Sequence, residues 1–158
     1  IPTIYGSLSS NLHIKGVDLS ALFTYSLGGK IYDSTYRSMM EPSYVGQTYH
    51  VNSLRAWTEA GQITDVPKVT TTATTVINDR FLIDASYFSI KSVSAGYTFR
   101  SASLEKYHIR SLRLYASGDN LLMLSALKGL NPQSSFSGST SYTYTPNRTV
   151  SLGVDIKF

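Results

Sequence analysis

The ten residues Thr149-Val150-Ser151-Leu152-Gly153-Val154-Asp155-Ile156-Lys157-Phe158 alternate without a break. Val150, Leu152, Val154, Ile156 and Phe158 fall on one face, and Thr149, Ser151, Gly153, Asp155 and Lys157 on the other. Successive side chains of a strand point to opposite sides, so this is a strand with one apolar and one polar face. Its length matches the roughly 9–11 residues that a tilted strand needs to cross a bilayer. A soluble strand lying on a core shows the same pattern, so its neighbours must decide between the two.

The same period recurs upstream. From Ile109 to Leu122, Leu112, Leu114 and Ala116 oppose Arg113, Tyr115, Ser117 and Asp119. An Arg and an Asp on the same face as a Tyr point to a wet lumen. From Val17 to Leu27, Leu19, Ala21, Phe23, Tyr25 and Leu27 oppose Asp18, Ser20, Leu22, Thr24 and Ser26. Ile4 to Leu12 is a weaker version, with Ile4, Gly6, Leu8 and Leu12 against Tyr5, Ser7, Ser9 and Asn11. Ala85 to Phe99 begins in one phase with Phe88 and Ile90 and continues in the other with Val93, Ala95, Tyr97 and Phe99. A β-bulge near Lys91 and Ser92 reconciles the two phases.

The connections decide between membrane and core. His13 to Gly16 is short, Gly28 to Asp84 very long, Arg100 to His108 short, and Met123 to Arg148 long. Membrane barrels have short periplasmic turns and long external loops, whereas a soluble sandwich has no reason to sort its loops. The reading is therefore all-β, about five antiparallel strands of a large transmembrane barrel, with both long loops outside the cell.

Composition agrees. Charged residues are 15% of the 158, against roughly 25% in soluble domains. Ser, Thr, Asn, Gly and Tyr fill the gap, as suits a wall between lipid and water. The 12 tyrosines fit a membrane boundary. The net charge of +4 is scattered singly, without a basic run or helix face, which argues against nucleic acid. There is no cysteine, and no stretch approaches the roughly 18 apolar residues of a membrane helix. No signal peptide precedes Ile1-Pro2-Thr3-Ile4-Tyr5-Gly6, and an exported protein needs one, so residues 1–158 read as a fragment.

A loop as long as the first is expected to carry structure of its own. Asn52 to Ala60 reads as a short helix, with Asn52 to cap its start and Gly61 its end. The Thr-rich run Val69 to Val76 reads as extended or mobile. No internal repeat or interdomain linker is evident.

Several phrases then become specific in combination. They are Tyr25-Ser26-Leu27-Gly28-Gly29-Lys30-Ile31-Tyr32-Asp33, Trp57-Thr58-Glu59-Ala60-Gly61-Gln62-Ile63-Thr64-Asp65-Val66-Pro67-Lys68, and the run from Asp79-Arg80-Phe81-Leu82-Ile83-Asp84 through Ala95-Gly96-Tyr97. Leu112-Arg113-Leu114-Tyr115-Ala116-Ser117-Gly118-Asp119-Asn120-Leu121, Lys128-Gly129-Leu130-Asn131-Pro132, and Tyr144-Thr145-Pro146-Asn147-Arg148 leading into the final strand complete the set. In order and spacing they resemble the C-terminal end of SusC/RagA-type TonB-dependent outer-membrane transporters of the Bacteroidetes, over essentially the whole chain. Ala60 stands where the family often has Pro, and Asp119 where Glu is common. The family's TonB box, plug domain and most of its barrel of about 22 strands are absent.

The resemblance implies import of glycan oligosaccharides or peptides across the outer membrane, beneath a SusD-like lipoprotein and powered by TonB–ExbB–ExbD through the missing plug. It implies no enzyme activity and no cofactor. Phe158 resembles the terminal aromatic that the barrel-assembly machinery reads, and is also a plain rim residue facing lipid. Asp155 and Lys157 are expected to face the lumen in structural roles. Trp57, Tyr142 and Tyr144 are candidates to stack on a sugar or peptide side chain, with packing in the loop or against the lipoprotein the plainer role. His13, His50 and His108 lack metal-ligand spacing, and Asp79, Asp84 and Glu59 lack a general acid/base constellation. Asn147-Arg148-Thr149 fits a glycosylation sequon by chance. The alternative of another class is a structural or adhesive cell-surface β-protein, which would fold in plain buffer without detergent.

Overall fold

A computed structural model describes residues 1–41, 46–69, 77–134, 137–141 and 144–158. Tyr142 and most of the Thr-rich run, residues 70–76, lie outside the described residues. The described elements are β1 (Ile4–Ile14), β2 (Val17–Leu27), β3 (Lys30–Asp33), α1 (Ser34–Met40), β4 (Leu82–Asp84), β5 (Tyr87–Phe99), α2 (Ala102–Glu105), β6 (Ser111–Ser125), β7 (Ser139–Thr140) and β8 (Thr149–Lys157). They fall into two compact units.

The first unit, residues 1–29, 84–132 and 144–158, is an open antiparallel sheet in the order β1-β2-β5-β6-β8. All five expected strands are present, of 9 to 15 residues. Lys15 and Gly16 alone join β1 to β2, with φ of 48° and 90°. Two positive φ values mark the hairpin turn whose twist matches its strands. Gly16 is required there twice over, since a Cβ would also stand 2.8 Å from the Thr98 carbonyl oxygen. The β5–β6 connection is short too, one turn of α2 followed by His108 at φ 61°.

The bulge lies where the phase change predicts it. Leu22 faces Ser92 while Phe23 faces Ile90, leaving Lys91 as the extra residue. On the other side Asn120 and Leu121 oppose Lys91, with Asn120 at φ 51°, a conformation Asn adopts more readily than most residues.

The register collects the apolar side chains into rows on one face. Leu12, Leu19, Ala95, Ala116 and Leu152 form one row, and Ser10, Ala21, Val93, Gly118 and Val150 the next. Tyr97 and Phe99 meet edge to face at 4.5 Å towards the hairpin end, and Phe23 stacks on Phe88 at 6.0 Å towards the other. Phe88 and Phe99 are ten ladder steps apart once Lys91 is absorbed in the bulge, roughly 34 Å along the strand. At a tilt of about 45° this spans roughly 25 Å, the height of the apolar band of a membrane barrel. Among the described residues the band is left open: Leu152 is 83% and Val150 69% exposed.

The second unit, residues 30–83 and 133–143, has its own core. Met40, Ala56, Val66 and Phe81 cluster there, with Tyr32 and Tyr36 packed against them. Its small sheet has the order β4-β3-β7. The expected helix over Asn52–Ala60 is instead one 3-10 turn, Val51–Arg55. His50 caps it, its Nδ1 accepting from the Asn52 N–H at 3.1 Å, and Ala56 is already non-helical, at ψ 144°. Gly61, at φ 90°, closes a separate turn in which the Gln62 N–H donates to the Glu59 carbonyl. The α-helix of this unit is α1, where Asp33 Oδ1 accepts the Tyr36 N–H at 2.8 Å. Replacing that cap, Asp33→Ala, is expected to cost about 1 kcal/mol, read as faster hydrogen exchange of the α1 amides, Tyr36 first.

Candidate functional site: the polar face and its ion clasp

The face opposite the apolar band is built from small polar residues. Asn11, Ser20, Ser94, Ser117 and Ser151 form one row across all five strands, and Ser20 and Ser94 bond through their hydroxyls at 2.7 Å. The adjoining row, towards the hairpin turns, is His13, Asp18, Gly96, Tyr115 and Gly153.

Charge concentrates between this row and the next one on the same face, Thr98, Arg113 and Asp155. Arg113 donates from Nε to Asp18 Oδ1 at 3.1 Å and from Nη2 to Asp18 Oδ2 at 2.5 Å, a bidentate fork. Its third nitrogen, Nη1, donates to Asp155 Oδ2 at 3.3 Å. Arg113 lies on β6, Asp18 on β2 and Asp155 on β8, so the guanidinium crosses β5 to reach Asp18. Gly96 leaves the gap: a Cβ there would stand 2.7 Å from Asp18 Oδ2 and 3.0 Å from Arg113 Nη2. The Tyr115 ring lies 4.8 Å from the Arg113 guanidinium carbon and covers Gly153, where a Cβ would collide with it. One clasp thus ties β2, β6 and β8 over β5. The pattern put Arg113 on the polar face but gave no means of naming its partners, 95 and 42 residues away.

The other candidates are dispersed. Phe158 is 85% exposed beside the last apolar row. Trp57 is in the second unit, 37% exposed, its backbone N–H donating to the Val66 carbonyl. Tyr144 is in the first unit and fully exposed. Asp84 is held in a local turn, its Oδ1 accepting from the Ser86 N–H and hydroxyl. His50 is a helix cap, and among the described residues no three His, Asp or Glu side chains gather as a metal site.

No protein-family model matches the chain. It is 27% identical to "TonB-dependent receptor P3" of Formosa agariphila over 99% of its length, and 21% identical to "TonB-dependent receptor P26" of the same organism over all of it. Its fold matches the structure of a RagAB peptide importer in a closed-closed state with TM-score 0.81 at 26% identity, covering the whole chain. The open-open state of that importer gives 0.78 at 27%. Over its whole length the chain is similar to SusC/RagA-type TonB-dependent transporters. It spans 16–17% of the length of these relatives.

The interior of a membrane barrel is polar, and the clasp lies on the polar face of the sheet. Gly96→Val is therefore expected to part Asp18 from Arg113 and lower the temperature at which the folded barrel loses its compact band on electrophoresis. Arg113→Met should do the same, and the double variant should lose no more than the worse single one. Additive losses would mean that the two residues act separately.

Proposed function

We propose that the chain is the C-terminal part of a SusC/RagA-type barrel in the outer membrane, and that the whole protein imports nutrients, glycan oligosaccharides or peptides, with energy from TonB–ExbB–ExbD. A SusD-like surface lipoprotein works with it over the extracellular loops. The observation that carries this reading is the uncovered apolar face, continuous over five strands and bounded by aromatic pairs, in a chain similar along its length to TonB-dependent receptors. The hydrocarbon of a bilayer suits such a face. The edges β1 and β8 each present a row of backbone donors and acceptors, and within a membrane such edges must pair, so further strands complete the wall. Likeness to both the closed-closed and open-open importer fits a wall that keeps its form during transport. Phe158, exposed at the rim, is the proposed assembly signal, and Trp57, Tyr142 and Tyr144 the proposed loop contacts. None of these residues is assigned covalent chemistry.

The test is uptake by whole cells. Deleting the gene should abolish uptake of one class of oligosaccharide or peptide, and a proton uncoupler should do the same to the wild type. Uptake unchanged by deletion, or a full-length protein that is folded and monomeric in buffer without detergent, would remove the reading.

A further inference from the structure

Positive charge collects at the end of the first unit where short turns join its strands. Lys15 lies in the β1–β2 turn, Arg100, Lys106 and Arg110 in the β5–β6 connection, and Lys157 at the end of β8. All five are exposed, and among the described residues none of them enters an ion pair. Beyond the clasp, Glu105 is the one carboxylate side chain described at this end. The opposite end of the same unit mixes its signs, with Lys91, Lys128 and Arg148 beside Asp84 and Asp119.

The topology draws the five cations into one strip. The Thr98 N–H donates to the Gly16 carbonyl at 2.8 Å, which sets the turn carrying Lys15 beside the end of β5, two residues before Arg100. The Arg110 N–H donates to the Lys157 carbonyl at 2.7 Å, at the end of β8. Between these points the Tyr107 and Ile109 N–H groups both donate to the Leu104 carbonyl, and Tyr107 is 72% exposed beside Lys106.

The strip continues the apolar face. That face ends here in Ile14, Val17, Leu112, Ile156 and the edge-to-face pair Tyr97 and Phe99. The alternation of β6 carried one step beyond Leu112 falls on Arg110. Along the sheet the order is therefore aliphatic residues, aromatic rings, then unpaired cations, which is the order of layers in one leaflet with a negative surface. Arginine offers a planar fork that matches phosphate, and lysine keeps its charge in the interface while its stem lies on apolar surface. A soluble acid would meet the cations alone. A phospholipid satisfies both parts, its acyl chains on the band and its phosphate on the strip.

We propose that this end of the sheet binds the headgroup phosphate of an anionic phospholipid, with Lys15, Arg100 and Arg110 as its contacts. The proposal rests on the barrel reading above. The test uses the full-length transporter, otherwise free of cysteine, carrying a bimane label on Ile156→Cys or, at the loop end of the same face, on Leu124→Cys. It is reconstituted in phosphatidylcholine vesicles with increasing acyl-brominated phosphatidylglycerol or acyl-brominated phosphatidylcholine. The slope of quenching against brominated lipid should be about threefold steeper for phosphatidylglycerol at Ile156, and equal for the two lipids at Leu124. Lys15→Gln, Arg100→Gln and Arg110→Gln together should bring the ratio at Ile156 close to one, as should about 0.5 M NaCl on the unaltered strip. Arg110→Lys should keep most of it. Equal slopes at Ile156, the same excess at both labels, or an excess that survives both the triple variant and salt would each overturn the proposal. Equal slopes at Ile156 together with Arg110-dependent binding of polyglutamate in detergent would overturn it in favour of a soluble acidic partner. Equal slopes still leave the band in lipid and the barrel reading intact. Quenching by neither lipid at either label removes both.

Discussion

Val150→Arg in the full-length barrel is expected to cost about 2–4 kcal/mol, while Ser151→Arg, one residue along the same strand, costs less than about 1 kcal/mol. Val150 sits in the row of Val93, Ala21 and Gly118, midway between the two aromatic pairs, and is 69% exposed. If that face meets hydrocarbon, an arginine there must pull its charge towards an interface or drag water inwards. The Ser151 side chain belongs to the Ser117, Ser94 and Ser20 row, where water is already present. The measurement is the urea midpoint of the barrel reconstituted in lipid, multiplied by its slope. Equal costs at the two positions would mean that neither face meets lipid, and a reversed order would exchange lumen and membrane.

The same physics explains what could be read before the structure. Lipid on one side and water on the other impose a strict period of two, so Val17–Leu27 was legible to the residue. Lys91 betrayed the bulge because an extra residue inverts every later position, and Phe88 and Val93 could share a face only if one intervened. The second unit carries no such imprint. Lys30–Asp33, Leu82–Asp84 and Ser139–Thr140 are strands of four, three and two residues, too short to show a period. The helix Ser34–Met40 is two turns long, and its sequence Ser-Thr-Tyr-Arg-Ser-Met-Met contains few strong helix formers, so the pattern gave no reason to expect it. Asn52 was a plausible cap, but His50 holds its amide and the turn stops at Arg55. The clasp was half legible, because alternation assigned Arg113 and Asp155 to the polar face, but only the register brings Asp18 within reach across Gly96.

Phe81→Ala should unfold the second unit and leave the sheet intact. Phe81 is fully buried and meets the rings of Tyr32 and Tyr36 edge-on at 6.1 and 5.9 Å. Truncating a buried Phe costs about 3–5 kcal/mol, part transfer and part cavity. Among the described residues the buried cluster around it holds only Met40, Ala56 and Val66 besides, with Tyr32 and Tyr36 packed against it. A core that small has little margin, so the loss is expected to open the unit as a whole. Trypsin added to intact cells should then cut faster than in the wild type at Arg55, whose backbone is held in the 3-10 turn Val51–Arg55, while the barrel keeps its compact electrophoretic band. Phe81→Leu restores most of the volume and should be cut far more slowly. If Phe81→Ala removes the barrel band as well, the two units share one folding transition, and the loop core is needed to build the wall itself.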